Sequence, residues 1–522
     1  MRNTIAWRQL RKVALVLTAL CLSSTSLAAS AQLIADAASE GSIVVGGREL
    51  KFNTVAGMLG VRLSDPGGQT EPLAEASMSY VAYFLKERAS NRPITFLFNG
   101  GPGSSTMWLH MSGFGPMRVV TQDVSYTAPP YRVVKSAYSL LDSSDLVFID
   151  APGTGFGQVW GKDRYAFFGV DNDATAFAEF IAQFLSKFDR WHSPKYLVGQ
   201  SYGTTRAAVL VNLLTSGYNI DVNGVVMVAP ILNWNLSTKG PQYNPGTDQP
   251  YITGLPTYAA AAWYHNRLPG RRPDQIEPFL REVENFASTE YALALQEGSA
   301  LEPQRRDAIA RRMSELIGVS KEYILKADLR LDSGQFRKEL LADKGLTIGM
   351  CDGRFSGADI DPQSKEADPE VLPDLQSIVA AYTSAVNGYV RGMLHFGAGQ
   401  PYLVSLGTQG APGVPPWNFE RPQPPAAPTR IFAIANVMRD LAQAMKSNPR
   451  LKVLLSGGYY DFCTPYFANQ YEIRHLPIPE QLQPNIEFHA FPVGHWPYIH
   501  DPTLQNLHDT FADFVRKSGN QP

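Results

Sequence analysis

Six apolar runs limit the folds open to this chain more than any other feature. "ITFLFNGG", "DLVFIDAPG", "KYLVGQS", "GVVMVAP", "LKVLLSGG" and "IEFHAFPVGH" each read as a short strand that stops at turn-forming residues. Between the second and third runs, "DNDATAFAEFIAQFLSKF" is apolar at helical spacing and opens with Asp and Asn. Strand–helix–strand alternation with buried strands predicts the α/β class, a mainly parallel central sheet with helices on its faces. Upstream, "SIVVGGRELKFNTVAGMLGVRL" and "MSYVAYFLKE" predict antiparallel strands on the first edge of that sheet.

The pattern changes between residues 236 and 429. "RRPDQIEPFLREVENFASTEYALALQEG" and "EPQRRDAIARRMSELIG" are charged amphipathic helices with no strand between them, and "APGVPPWNFERPQPPAAPTR" is a Pro-rich connector expected to be irregular. A core of two parts is therefore expected, residues 32–235 and 430–522, with a helical lid insertion over 236–429.

One motif carries chemistry. Gly199-x-Ser201-x-Gly203 follows a strand and opens a helix, as a nucleophile elbow does. A serine hydroxyl needs a base, and the base needs an orienting group. Asp461 follows "LKVLLSGG" and His495 follows "IEFHAF", so all three fall in loops at strand ends, in the order serine, acid, histidine. Asp440 and Asp352 compete for the acid, and His500 for the base; His489, inside a strand, reads as a packing residue. An oxyanion hole needs two backbone donors. Tyr202 N–H is one, and the loop Asn99-Gly100-Gly101-Pro102-Gly103 supplies the other, assigned to Gly101.

Composition narrows the partners. Forty-six basic residues against 48 acidic ones give a formal charge of −2, with no basic stripe or acidic tail, which disfavours nucleic acid and anionic membranes. "MRNTIAWRQLRK", "VALVLTALCL" and "SSTSLAASAQ" form the basic, apolar and small-residue parts of a signal peptide, residues 1–31, expected to be cleaved after Ala31. The apolar run is about half of the ~20 residues a spanning helix needs. Leu20 before Cys21 argues against lipid attachment there, so an exported chain without a membrane span, periplasmic or secreted, is expected. Export would leave Cys351 and Cys463, between which a disulfide is permitted but not required. No cysteine or histidine spacing suits a metal, and no cofactor is expected.

"NGGPGSS" with "GFGP", "LVFIDAPGTGFG", "GQSYG", "YYDFCTP" and "GHWPYIHDP" resemble, in order, the signature blocks of the serine carboxypeptidases, peptidase family S10. The resemblance covers residues 90–510 and implies an α/β-hydrolase fold that releases C-terminal residues from peptide substrates without a cofactor. It places Ser201, Asp461 and His495 on the triad and Gly101 and Tyr202 on the oxyanion donors. Asn99, Gly100 and Gln200 fall where the substrate's terminal carboxylate is held.

Two departures matter. Gln200 and Gly113 stand where better-known members carry a proton-sharing glutamate pair. Without that pair, carboxylate recognition can persist through the Gln200 amide at any pH, or exopeptidase specificity gives way to a broader esterase. Activity at neutral pH is expected instead of an acid optimum. Ser104 replaces the family cysteine after Gly-Pro-Gly, which removes that disulfide. A non-catalytic exported binding protein is the alternative outside the enzymes.

Overall fold

All six apolar runs form strands of one sheet. The nine longer strands are β1 (Ala37–Val45), β2 (Arg48–Leu63), β3 (Ala74–Leu85), β4 (Ile94–Phe98), β5 (Asp145–Ile149), β6 (Lys195–Gln200), β7 (Gly224–Val228), β8 (Lys452–Gly458) and β9 (Ile486–Phe491). The computed structural model describes residues 33–519 except 65–71, 88, 90, 237–244, 271–272, 407–413 and 423–431; the expected signal peptide lies outside the described residues. Among the described residues the strands stand in the order β1-β2-β3-β5-β4-β6-β7-β8-β9, with a two-residue strand, Val159–Trp160, added to β3. The edge from β1 through β3 to β5 is antiparallel, as expected. From β5 onward every pairing is parallel. This is the α/β-hydrolase fold.

The strand sequence explains the burial. Ile94, Phe96 and Phe98 of β4 face one hydrophobic cluster and Leu97 faces the other, so the strand is apolar but for Thr95, whose hydroxyl is hydrogen-bonded with Ser144, because both faces are dry. Helices cover each face: α1 (Val170–Lys187), α2 (Tyr202–Gly217), α3 (Gln249–Tyr264), α4 (Ile276–Phe286), α5 (Pro303–Ile317), α6 (Pro373–Asn387), α7 (Met438–Ser447), α8 (Tyr466–Arg474) and α9 (Asp501–Gly519). In α1, Asp171 and Asp173 in the first turn and Lys187 in the last complement the helix dipole. Its Ala174, Phe177, Ile181 and Phe184 recur at helical spacing and are buried against the sheet. Each such aromatic side chain contributes about 1.5–3 kcal/mol of burial.

The insertion does two separate things. Residues of α3, α4 and α5, including Leu255, Val283 and Met313, form a third hydrophobic cluster together with Tyr460 and Phe462 from the loop after β8. Tyr258 of α3 stacks on Phe336 and Phe462, with ring centroids 4.5 and 5.6 Å away. By contrast, α6 packs Ile378 and Tyr382 into the sheet's second face beside Trp108 and Leu504. Of the Pro-rich connector, residues 414–422 are described. Glu420–Pro422 pairs antiparallel with Phe432–Ile434, and Trp417 and Phe419 pack on Tyr202 and Trp234. Aromatic contacts hold Trp417 and Phe419 in the described part of the connector.

Cys351 and Cys463 are joined in a disulfide across 112 residues, tying the insertion to the loop after β8. Closing a loop of that length restricts the unfolded chain and contributes about 2–4 kcal/mol.

Glu472 of α8 holds the loop after β7. Its Oε1 accepts Leu232 N–H at 3.1 Å and Asn233 N–H at 2.7 Å, while Oε2 is buried without a partner. Burial pushes this carboxyl from the ordinary 4.5 up to about 8. A carboxyl raised on folding costs stability as pH climbs above its unfolded value, and the cost is complete above the folded one. Glu472→Gln keeps the acceptor and removes the ionisation. The variant should melt higher than the parent at pH 9 and nearly level with it at pH 5. Equal melting differences at both pH values would remove this account of Glu472.

Candidate active site

The site forms where the chain reverses its walk across the sheet. From β4 the chain steps to β5 on one side, then returns past β4 to β6 on the other, and open α/β sheets bind ligands at such a switch. Ser201 lies there, between the end of β6 and the start of α2, with φ 58° and ψ −132°. A non-glycine residue at positive φ is strained, and such strain recurs at functional sites. The turn leaves no room beside it: a Cβ on Gly199 would stand 2.3 Å from Gly203 O. Ser201 N–H donates to Val228 O of β7 at 2.9 Å, which anchors the turn to the sheet.

The register Phe98↔Gly199 sets the glycine loop beside this elbow. A Cβ on Gly100 would stand 2.5 Å from Tyr202 N and 2.6 Å from Gly203 N, so the loop rests on the first amides of α2. Those amides have no acceptor within the helix and point outward. Gly101 adopts φ 105°, open to glycine at little cost. Arg206 of α2 clamps the loop from behind. Its guanidinium donates to Asn99 O at 2.6 Å and to both oxygens of Asp173, at 2.7 and 3.2 Å, with Arg206 and Asp173 fully buried. Removing one partner of such a pair costs about 3–5 kcal/mol.

Asp461 and His495 meet directly. His495 Nδ1 lies 2.7 Å from Asp461 Oδ2, and Asp461 also accepts Cys463 N–H (2.8 Å), Thr464 N–H (3.0 Å) and Thr464 Oγ1–H (2.7 Å). A carboxylate on Nδ1 fixes the proton there and leaves Nε2 as the basic atom. His495 N–H donates to Cys351 O at 2.7 Å, so the disulfide-linked insertion braces the His495 turn as well as the Asp461 loop. Among the described residues no hydrogen bond joins Ser201 Oγ to His495. Such bonds are often long in an uncomplexed enzyme and tighten with substrate.

The competitors are engaged elsewhere. Asp440 pairs with Arg421 at 2.7 Å, and Asp352 holds Arg354 at 2.6 Å. His500 Nδ1 contacts Thr503 Oγ1 at 2.8 Å, at the start of α9. His489, expected to pack, has a side chain 43% exposed on β9, an edge strand with one face open to solvent.

The residues expected to hold a carboxylate are interlocked. Asn99 is 4% and Gln200 1% exposed, and Asn99 Nδ2 donates to Gln200 Oε1 at 2.6 Å. Tyr498 OH donates to the same oxygen at 2.8 Å, and Gln200 Nε2 donates to His495 O at 2.8 Å. The Gln200 oxygen is thus filled, and its amide nitrogen turns toward the histidine turn. Gly113 adopts φ 112°, and a Cβ there would come within 3.1 Å of Leu504 Cδ2 and Ser136 Oγ, so a glutamate would be strained at that position.

Tyr498 and Thr464 were not singled out from the sequence, and Cys351 only as a possible disulfide partner of Cys463. Tyr498 and Thr464 lie three residues after His495 and Asp461, a proximity that was readable; the role of Cys351 depends on tertiary contact.

Ser201, Asp461 and His495 thus stand beyond three strand ends of one sheet, with the carboxylate and the imidazole in contact. The family model for serine carboxypeptidase matches residues 50–265. Serine carboxypeptidase-like 5 of Arabidopsis thaliana is 28% identical over 192 residues, 35% of this chain and 41% of that protein. The pheromone-processing carboxypeptidase KEX1 of Yarrowia lipolytica is 29% identical over 143 residues, 27% of this chain and 22% of that protein. The matches therefore span less than half the length of these curated relatives. The crystal structure of KEX1(delta)P, a prohormone-processing carboxypeptidase from Saccharomyces cerevisiae, superposes over 88% of this chain and 91% of its own, at 13% identity and TM-score 0.47. Over residues 50–265 the chain is similar to the serine carboxypeptidase family.

Proposed function

We propose that the protein is a serine-type carboxypeptidase that hydrolyses C-terminal peptide bonds through an acyl-enzyme. Ser201 Oγ attacks the carbonyl carbon while His495 Nε2 takes its proton, and Asp461 stabilises the imidazolium that forms. Gly101 and Tyr202 N–H groups receive the developing oxyanion. The tetrahedral adduct collapses, His495 returns the proton to the leaving amine, and a water molecule then hydrolyses the ester by the same route. The observation that carries this reading is the 2.7 Å His495–Asp461 contact beside a serine held at φ 58°.

The substrate's terminal carboxylate falls to the Gly100 amide and Asn99. Burial of Asn99 and Gln200 favours one second reading, a broader esterase on the same triad. The insertion serves as the lid, since its aromatic core is seated on the loop that bears Asp461. An exported location is supported by the Cys351–Cys463 bond, which suits an oxidising compartment, and no described helix is long and apolar enough to cross a membrane.

A matched pair of peptides, one with a free C-terminus and one amidated, tests the assignment. Release of the last residue should be faster from the free acid by a few-fold or more at pH 7. Equal rates on both, with faster turnover of simple esters, would replace the peptidase reading with the esterase one.

A further inference from the structure

Gln200 occupies a one-way chain of hydrogen bonds that ends on a backbone group at each side. Leu109 N–H donates to Asn99 Oδ1 at 2.9 Å, which leaves Asn99 Nδ2 as the donor to Gln200, 2.6 Å away. The Gln200 atom that receives it must be Oε1, and the same atom accepts Tyr498 OH at 2.8 Å. Nε2 is then the atom facing the His495 carbonyl, to which it donates at 2.8 Å. The orientation of both amides thus follows from fixed backbone groups. Asn99, Gln200 and Tyr498 are all buried, so no solvent competes for these bonds.

We infer that Gln200 is a positioning residue for His495, holding the histidine turn against the nucleophile elbow through that carbonyl, and that position 200 requires a hydrogen-bond donor on that side. This role differs from binding the substrate's carboxylate, and it rests on the acyl-transfer reading of Ser201, Asp461 and His495. Along the chain the link joins three pieces that the fold brings from far apart: the glycine loop, the elbow and the turn after β9. An amide donates at every pH. A carboxyl at position 200 would accept from Asn99 and Tyr498 equally well, but could donate to His495 O only while protonated; once ionised, it would set two oxygens against each other.

The surroundings offer little to offset that repulsion. Tyr498 faces position 200 directly, with Tyr382 behind it and Arg118 beyond Tyr382. His495 faces it with its ring already committed to Asp461. Across the Asn99 carbonyl the guanidinium of Arg206 is neutralised by Asp173.

The test compares Gln200→Glu and Gln200→Met with the parent between pH 5 and 8. The readouts are the rate at which a fluorophosphonate labels Ser201, and kcat and KM for a free-acid peptide, its amide and a p-nitrophenyl ester. Each value is taken as a ratio to the parent at the same pH, with circular dichroism as the check on folding. Gln200→Glu should stay near the parent at pH 5 and fall about tenfold or more by pH 8, in kcat and for all three substrates. Gln200→Met, which has no donor, should be lowered by a similar factor at every pH. A loss confined to the free-acid peptide and carried by KM would make Gln200 a substrate ligand and overturn the inference, as would parent-like rates in Gln200→Met. If Gln200→Glu does not fold, the methionine variant decides alone. A parent that the probe does not label sinks the acyl-transfer reading, and this inference with it; a labelled parent with unaffected variants sinks the inference only.

Discussion

Ser201→Ala is expected to abolish labelling by a fluorophosphonate and to lower kcat by about four to six orders of magnitude, with the fold unchanged. The serine is part-buried and its small side chain belongs to none of the hydrophobic clusters, so removing one oxygen costs little packing. Its strained φ of 58° is imposed by the close approach of Gly199 to Gly203 and by the hydrogen bond from its own N–H to Val228 O, neither of which involves the hydroxyl. The alanine variant should therefore melt within a degree or two of the parent and still bind substrate. What remains of catalysis would come from oxyanion stabilisation and binding alone. Near-normal turnover in the variant would move the nucleophile elsewhere.

Loss of the base should be almost as damaging. His495→Ala removes the group proposed to take the serine proton and leaves buried Asp461 without its ring partner, so kcat should fall by about four orders of magnitude or more. Asp461 keeps its hydrogen bonds from Cys463 and Thr464, and the loop should hold its shape. His500→Ala and His489→Ala serve as controls. His500 contacts Thr503 at the start of α9, and His489 is a part-exposed side chain on the edge strand β9, so each variant should keep most of the activity. A dead His500→Ala enzyme with an active His495→Ala one would reverse the assignment.

Much of the fold was legible because buried parallel strands advertise themselves. "GVVMV" has no polar residue and "ITFLF" only a threonine, and the helix of residues 170–187 repeats its apolar positions at 3.6-residue spacing. The candidate site residues were legible for a related reason. Each follows a strand directly, and the glycines around Ser201 mark a turn too tight for side chains. The Pro-rich connector was harder to read. Its short strand pairs with residues 432–434 close by, but the edge-to-face contact of Trp417 with Tyr202 depends on a partner more than 200 residues away in sequence.

Gln200 shows where the reading from sequence ends. Its identity says that it can donate and accept at any pH, which already separates it from a glutamate. Where it donates depends on the register that sets Phe98 opposite Gly199, on Tyr498 arriving after β9, and on the His495 carbonyl turning inward. The disulfide is similar: two cysteines 112 residues apart permit a bond, and only the docking of the insertion onto the loop after β8 brings them together. The sequence by itself determined the strand order along the chain, the tight elbow and the chemistry available at each loop, because these depend on residues near one another. Tertiary structure alone decided which buried donor meets which acceptor, since a hydrogen bond between distant segments is set by packing and register and by nothing local to either residue.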